Sequence, residues 1–295
     1  MNRELMGVVL AVLASLSFES GYLLMTQQSR LVERSGRPSG RFLVSLLHRP
    51  LWLLAIALDG AGILLELFAL REVSLIVVQP LMSVGLIGLV FAARVFLGER
   101  IDRHTVLAAG ALVTGVACVI LAAPSDADAV RLAHPVASIV VLGALAIIVI
   151  SAYLGRGPGV ARRAVMAAAA GDTLVAISGN QIARSWVERP LSALFWTAAV
   201  AASGIGSVTA ESAALQRLPA SRVGPIISGI GAVLPVVLMA LLSPQRLSLS
   251  LDMALLLALG LVLTGGGAFR LAATARGGPL AAKQDVALQA RVSSR

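Results

Sequence analysis

The sequence predicts an all-α integral membrane protein with about nine transmembrane helices. Of its 295 residues, 58% are hydrophobic and only 13% are charged, and apolar stretches long enough to cross a membrane recur along the chain. A soluble domain carries about 25% charged residues. This chain therefore has too little charge to cover a water-facing surface, and the same low charge excludes an intrinsically disordered protein.

Nine stretches reach the length of about 20 apolar residues that a helix needs to cross the hydrocarbon core. They run over 5–25, 51–70, 74–93, 104–123, 135–154, 164–183, 192–215, 223–242 and 251–273. Glu19 interrupts the place where a signal-peptide cleavage site would lie, so the first stretch is predicted to be a retained helix. The last residues, 274–295, have no spanning pattern and are predicted to form a disordered basic tail.

The distribution of lysine and arginine predicts the orientation in the membrane. One set of alternate connecting segments, together with the C-terminal tail, holds 18 of these residues, and the other set, together with the N-terminus, holds 6. Because positive charge accumulates on the cytoplasmic side, the N-terminus is predicted to lie outside and the C-terminus in the cytoplasm of a bacterial plasma (inner) membrane. The basic residues behind the net charge of +9 therefore indicate the topology, and they can contact anionic lipids. No nucleic-acid partner is expected.

Several classes of chemistry lack their sequence signatures. The single cysteine, Cys118, excludes an intramolecular disulfide and a C-x-x-C motif. The three histidines lie near span ends rather than beside the membrane-embedded acids, which disfavours a histidine metal site. The glycine-rich connector at 155–159 lacks the lysine of a P-loop. We therefore expect no metal site, no cofactor and no enzymatic activity.

The two halves of the chain contain short matches in the same order. A shift of 145 residues aligns Glu66 with Glu211, Pro80 with Pro225 and Ser83 with Ser228; a shift of 153 aligns Glu19 with Asp172 and Gln27-Gln28 with Asn180-Gln181; a shift of 150 aligns Thr114-Gly115 with Thr264-Gly265. Together these matches indicate an internal duplication.

An odd number of spans separates equivalent helices, so the second half should enter the membrane in the opposite orientation. The predicted organisation is a four-helix repeat at 1–123, a linker with the fifth transmembrane helix at 124–163, an inverted four-helix repeat at 164–273, and the tail at 274–295. Inverted repeats of this kind are typical of alternating-access transporters, whose binding sites lie near the bilayer midplane between the halves.

Specific stretches resemble a known family. The run REVSLIVVQPLMSVGLIGLVFAARVFLGERI, followed by GALVTGVACVIL, is similar to the last helices of a repeat of the drug/metabolite transporter superfamily (EamA-like), and LQRLPASRVGPIISGIGAVLPVVLMALL is similar to its second repeat. The first half, from VVLAVLASLSFESGYLLM, resembles a small multidrug resistance protomer with its membrane glutamate at Glu19. The nine-span layout, with LWLLAIALDGAGILLELFAL, is also similar to NIPA-type magnesium transporters.

Five acidic residues fall inside predicted spans, where an ionisable side chain is costly and is a functional candidate by default. At 1.5 Å per residue from the nearest flanking arginine, Glu19, Asp59 and Asp172 lie roughly 13–16 Å from the inner surface, which is the midplane. Glu66 and Glu211 lie nearer the two interfaces, where a role in helix packing is the slightly favoured interpretation.

These positions define the predicted site. We expect Glu19 and Asp172 to face each other across a central cavity with Asp59 nearby, and such close carboxyl groups cannot all be ionised. Tyr22 lies on the same polar stripe of the first helix as Glu19, and Asn180 and Gln181 offer amide oxygens. The full set of candidate substrate- and proton-binding residues is Glu19, Asp172, Asp59, Tyr22, Asn180 and Gln181, with Glu66, Glu211, Pro80 and Pro225 as secondary candidates.

The sequence thus predicts a secondary active transporter that exchanges a small cationic or amphipathic solute for protons. Two alternatives stay open. A facilitative Mg²⁺ or divalent-cation transporter of NIPA type would use an all-oxygen site, and a non-transporting membrane subunit would need no midplane acid. Because each half already supplies a partner to the other, a functional monomer is plausible beside a homodimer.

Overall fold

The computed structural model describes residues 3–29, 31, 40–88, 103–122, 135–154, 159–185, 190–216, 218, 220–242 and 250–274 of the chain. Within these residues the secondary structure is helical. The helices are α1 (Arg3–Ser29), α2 (Gly40–Leu47), α3 (Pro50–Glu72), α4 (Leu75–Met82), α5 (Arg103–Ala122), α6 (Pro135–Leu154), α7 (Val160–Ser185), α8 (Pro190–Leu215), α9 (Ala220–Leu242) and α10 (Leu251–Thr274).

Prolines and extended residues punctuate the helices. Pro50, Pro135 and Pro190 each occupy the first position of a helix, where the missing N–H costs no hydrogen bond. Between α3 and α4 the chain takes only two extended residues, Val73 and Ser74, and the Val73 N–H bonds back to the Ala69 carbonyl at 3.0 Å. This tight connection holds the start of α4 against the end of α3.

The helices pack in matching pairs. The most extensive packing joins α1 with α3, α7 with α8, and α5 with α10, and α4 also meets α9. Glycines permit the closest approach: a Cβ added at Gly115 of α5 would lie 2.5 Å from the Thr264 nitrogen and 2.7 Å from the Gly260 carbonyl oxygen of α10. The backbones of α5 and α10 are therefore in direct contact.

The outer surface is strongly apolar, whereas the interior is rich in alanine and small polar residues. Leu107, Leu121, Ile139 and Leu191 are each at least 69% exposed, as expected for side chains that face lipid. Among the described residues, five helices are long and apolar enough to cross a membrane, and three shorter apolar helices accompany them. The chain is therefore an all-α, multi-pass membrane protein, and the nine-span count stays a prediction.

The structure differs from the predicted spans in two places. A short helix, α2, lies in the first arginine-rich connection, where no element was predicted. The stretch predicted as one helix over 74–93 breaks: α4 ends at Met82, a turn follows at Ser83 and Val84, and helical backbone resumes at 85–88. At the break the Ser83 N–H bonds to the Pro80 carbonyl oxygen and the Val84 N–H to the Leu81 carbonyl oxygen, each at 3.0 Å and three residues back instead of four. Residues 89–93 and the predicted tail beyond Thr274 lie outside the described residues.

Candidate functional site

A cavity of about 170 Å³ lies among α1, α3, α4, α7, α8 and α9. Five carboxyl groups line it: Glu19 from α1, Asp59 and Glu66 from α3, Asp172 from α7, and Glu211 from α8. Apolar side chains, including Phe18, Ile63 and Val208, line the same cavity, so the site combines apolar walls with acidic groups.

Helix periodicity aims the acids inward. Asp59 and Glu66 are seven residues apart on α3, a spacing that places both on one helix face. Glycine at Gly21 of α1 lets α3 approach, since a Cβ at that position would collide with the carboxylate of Asp59 and would lie 2.9 Å from the Ala55 carbonyl oxygen. Close packing of α1 on α3 therefore holds Asp59 beside the helix that carries Glu19.

Two of the five carboxylates accept hydrogen bonds from neighbouring side chains. Gln79 of α4 donates through Nε2 to Glu66 Oε1 at 2.7 Å, within a buried environment. Ser207 of α8 donates through its hydroxyl to Asp172 Oδ1, and its Oγ also lies 3.0 Å from the Ala168 carbonyl oxygen. These contacts fix the orientations of Glu66 and Asp172.

The two donors have no counterparts in the other half of the chain. The position 145 residues after Gln79 is Gly224, and the position 145 residues before Ser207 is Gly62. Gly224 lines the same cavity, and Gly62 packs so closely against Phe18 that an added Cβ would lie 3.0 Å from the phenyl ring. Glu19, the mate of Asp172, therefore has no donor equivalent to Ser207. Glu211, the mate of Glu66, has no donor equivalent to Gln79.

The structure brings most of the predicted site residues together. Glu19, Tyr22, Asp59 and Asp172 all line the cavity. Glu66 and Glu211, which the sequence placed nearer the two interfaces, line the same cavity. The remaining candidates, Asn180, Gln181, Pro80 and Pro225, are not among its lining residues.

Those remaining candidates have other surroundings. Asn180 is fully buried on α7, eight residues beyond Asp172 and therefore about 12 Å further along the helix axis. Pro80 lies inside α4 beside the lining residue Gln79, and Pro225 lies inside α9 beside the lining residue Gly224. The two prolines thus border the cavity through their neighbours.

Four polar lining residues were not among the predicted site residues: Gln79, Ser83, Ser207 and Ser228. Gln79 could have been predicted as a site residue from the sequence, since an amide inside an otherwise apolar run needs a hydrogen-bond partner. The three serines carried a weaker signal, because serine also serves to pack helices closely.

The five acids line one cavity without forming a metal-binding cluster. Among the residues that the structure describes, no three histidine, cysteine, aspartate or glutamate side chains are close enough to hold a metal ion together. The arrangement leaves room for a ligand between the acids and for protons on them.

Comparison with known proteins supplies a relationship. Over 111 residues, 37% of this chain, the sequence is 31% identical to a protein of Aeromonas hydrophila described as a probable 4-amino-4-deoxy-L-arabinose-phosphoundecaprenol flippase subunit, ArnE, and the match covers 93% of that protein. The corresponding protein of Aeromonas salmonicida matches with the same identity and coverage. No family model and no solved structure matches the chain. The chain belongs to the drug/metabolite transporter family that includes these ArnE flippase subunits.

Proposed function

We propose that the protein is a secondary transporter of the bacterial inner membrane that moves a small cationic or amphipathic solute by alternating access, in exchange for protons. The observation that carries the proposal is the convergence of five carboxyl groups on one cavity inside an apolar helical protein. Such acids are expensive to keep within a membrane, so their presence on one cavity favours a role in binding.

The chemistry of the site fits exchange. Carboxyl groups that share a poorly solvated cavity cannot all be ionised, so part of the set holds protons when no ligand is bound. A cationic ligand that pairs with these groups favours their ionised form. Binding of the cation therefore releases protons, and rebinding of protons releases the cation.

The arrangement of the helices supports two functional halves. The pairing of α1 with α3 resembles that of α7 with α8, and α4 and α5 meet α9 and α10. The relatives match over 111 residues, close to the length of the second predicted repeat, 164–273, and each is described as a flippase subunit. On this basis the chain unites two subunit-like halves, inverted relative to each other, so that a monomer can contain the complete transport site.

The relatives also support the solute class. Their description names a lipid-linked amino sugar, which joins an amine to an amphipathic carrier. An acidic cavity with apolar walls suits an amine-bearing, amphipathic solute, and we propose that class for this chain.

The test is proton flux in liposomes. The purified chain is reconstituted with an internal pH dye, and choline, propyltrimethylammonium, ethidium or Mg²⁺ is added in turn. These ions are permanently charged, so they do not carry protons across the bilayer themselves. We expect at least one organic cation to trigger proton movement.

The variant Glu19→Gln should abolish this movement without preventing insertion into the membrane. Glu4→Gln is the matched control, because Glu4 lies on the same helix, is exposed and lies outside the cavity, and should behave as the wild type. Mg²⁺ uptake without proton movement would replace the proposal with facilitative divalent-cation transport. Unchanged activity after replacement of Glu19, Asp59 and Asp172 together would indicate a subunit that does not transport through this site.

A further inference from the structure

The break in α4 is held open by a hydroxyl group from another helix. Ser15 of α1 donates to the Met82 carbonyl oxygen at 2.5 Å and accepts a hydrogen bond from the Gly85 N–H at 2.9 Å. These are backbone groups on either side of the turn at Ser83 and Val84, which lose regular helical partners where the helix stops. The Ser15 side chain therefore replaces the missing helical bonds and stabilises the break.

The break places a second serine, Ser83, at the wall of the cavity. Ser83 is 1% exposed and lines the cavity. Within the described part of the chain, no group forms a hydrogen bond with its Oγ atom. Burial of a hydroxyl without a partner is unfavourable, so a polar group of a ligand is the partner that this position can gain.

The break also brings Ser83 close to an acid. A Cβ added at Gly85 would lie 2.7 Å from the Glu19 Cγ, so the Glu19 side chain passes directly over the backbone of Gly85. Gly85 follows Ser83 by two residues. Ser83 and Glu19 both line the cavity, and the backbone two residues after Ser83 lies against the Glu19 side chain.

The second half of the chain places the mates of Ser83 and Glu19, Ser228 and Asp172, on the same cavity but lacks the break. The mate of Ser15, at the shift of 153 that aligns Glu19 with Asp172, is Ala168, which has no hydroxyl. The mate of Ser83 is Ser228, and α9 runs without interruption through it, from Ala220 to Leu242. The broken helix and its supporting hydroxyl thus belong to one half only.

We propose that Ser83 and Glu19, at the broken helix, form a subsite that binds a hydroxyl-bearing cation, such as an amino alcohol or the amino sugar of a larger solute. Glu19 pairs with the cationic nitrogen, and Ser83 hydrogen-bonds the neighbouring hydroxyl. Ser15 is a positioning residue: it does not line the cavity but holds the break that presents Ser83. This subsite rests on the proposed transport function and specifies its ligand.

A matched pair of ligands tests the subsite. Choline and propyltrimethylammonium carry the same cationic group and differ at the chain end, where a hydroxyl replaces a methyl group. In the liposome assay we expect the wild-type protein to respond to choline at about fivefold lower concentration, the difference expected for one ordinary hydrogen bond. Equal responses in the wild type would overturn the subsite.

The variant Ser83→Ala should remove the preference by weakening the response to choline alone. Ser212→Ala is the control, because the Ser212 hydroxyl is also buried and has no hydrogen-bond partner among the described residues, but it does not line the cavity. It should keep the wild-type preference. An equal loss of response to both ligands in Ser83→Ala would assign Ser83 a packing role and contradict the proposal.

The variant Ser15→Ala tests the positioning role. We expect it to reduce the choline preference as Ser83→Ala does. Its control is Ser17→Ala, which removes a hydroxyl that also joins α1 to a backbone carbonyl, Leu58 O at 2.8 Å, away from the break. A Ser15→Ala protein with an intact preference would show that the break does not depend on Ser15.

Failure of the transport function and failure of the subsite give different results. If Glu19→Gln leaves cation-triggered proton movement intact, the proposed transport function fails and the subsite fails with it. If Glu19→Gln abolishes the movement while Ser83→Ala retains the choline preference, exchange stands and only the subsite is wrong.

Discussion

Two acids in the cavity accept a hydrogen bond from a side chain, and in each case the donor has no counterpart in the other half of the chain. Gln79 holds Glu66, and Ser207 holds Asp172, while glycine stands at both equivalent positions. The bond between Gln79 and Glu66 spans 13 residues and joins α3 to α4 just after their tight connection. This bond therefore fixes the orientation of the Glu66 side chain and holds α4 against α3.

The strength of this bond is measurable by a double-mutant cycle. We expect Glu66→Ala and Gln79→Ala to show a coupling of about 0.6–1.7 kcal/mol, the range found for side-chain hydrogen bonds in membrane proteins. Thermal unfolding in mild detergent provides the free energies. Ser45→Ala combined with Glu66→Ala should be additive, since the Ser45 hydroxyl bonds within α2 to the Phe42 carbonyl oxygen. Additivity of the Glu66 and Gln79 variants would contradict a bond that matters for stability.

Residue-level features were partly predictable from the sequence. The distance of Glu19, Asp59 and Asp172 from flanking arginines placed them at one depth, and all three line one cavity in the structure. Depth along a single helix does not reveal how helices tilt or cross, so Glu66 and Glu211 were expected further from the centre. The orientations of Gln79 and Ser207 depend on tertiary packing, which no local pattern encodes.

At the scale of elements, the contact between α5 and α10 depends on glycine. A Cβ at Gly260 would lie 2.9 Å from both the Gly115 carbonyl oxygen and the Val119 nitrogen, and one at Gly267 would lie 2.8 Å from the Ala108 carbonyl oxygen. These are backbone atoms, which cannot turn aside as a flexible side chain can. Small residues let the two helices approach in the manner typical of membrane helix pairs.

Alanine substitution should therefore separate contact glycines from exposed ones. We expect Gly115→Ala and Gly260→Ala each to destabilise the protein by about 1–3 kcal/mol, the usual cost of overpacking. Gly110→Ala and Gly266→Ala should cause no loss of stability, because nothing lies within 4 Å of their added Cβ atoms. Thermal unfolding in detergent measures both pairs. Equal behaviour of the two pairs would show that α5 and α10 are not held this closely.

Elements were easier to predict from the sequence than their interruptions. Apolar runs indicated where most of the helices lie. The break after Met82 was not predicted; Ser15, whose hydroxyl bonds to it, is 67 residues away from Met82 along the chain. The short helix α2 was also missed, since its eight residues are too few to be recognised as a spanning element.

At the scale of the whole molecule, the halves meet along several helices. Gln216 donates through Nε2 to the Ser29 carbonyl oxygen at 3.2 Å, which joins the end of α8 to the end of α1. This contact adds to the packing of α4 on α9 and of α5 on α10. The proposed inverted halves therefore enclose the cavity within one chain.

The orientation that the arginine distribution predicts can be checked directly. We expect a C-terminal green fluorescent protein fusion to fluoresce in a bacterial host, because that protein folds in the cytoplasm. Alkaline phosphatase at the same terminus should be inactive, since it requires the periplasm. The opposite pair of results would reverse the predicted topology, in which 18 of the basic residues face the cytoplasm.

The break pinned by Ser15 also bears on the energetics of the transport cycle. If the two inverted halves were identical, a two-fold rotation would convert the outward-open state into the inward-open state. The two states would then have equal free energy. Here one half holds a hydroxyl-supported break and the other has Ala168 with a continuous helix. Symmetry therefore no longer balances the two states, and each 1.4 kcal/mol of difference shifts their ratio about tenfold. For the proposed alternating-access cycle, this asymmetry predicts a preferred resting side and unequal apparent affinities at the two faces of the membrane.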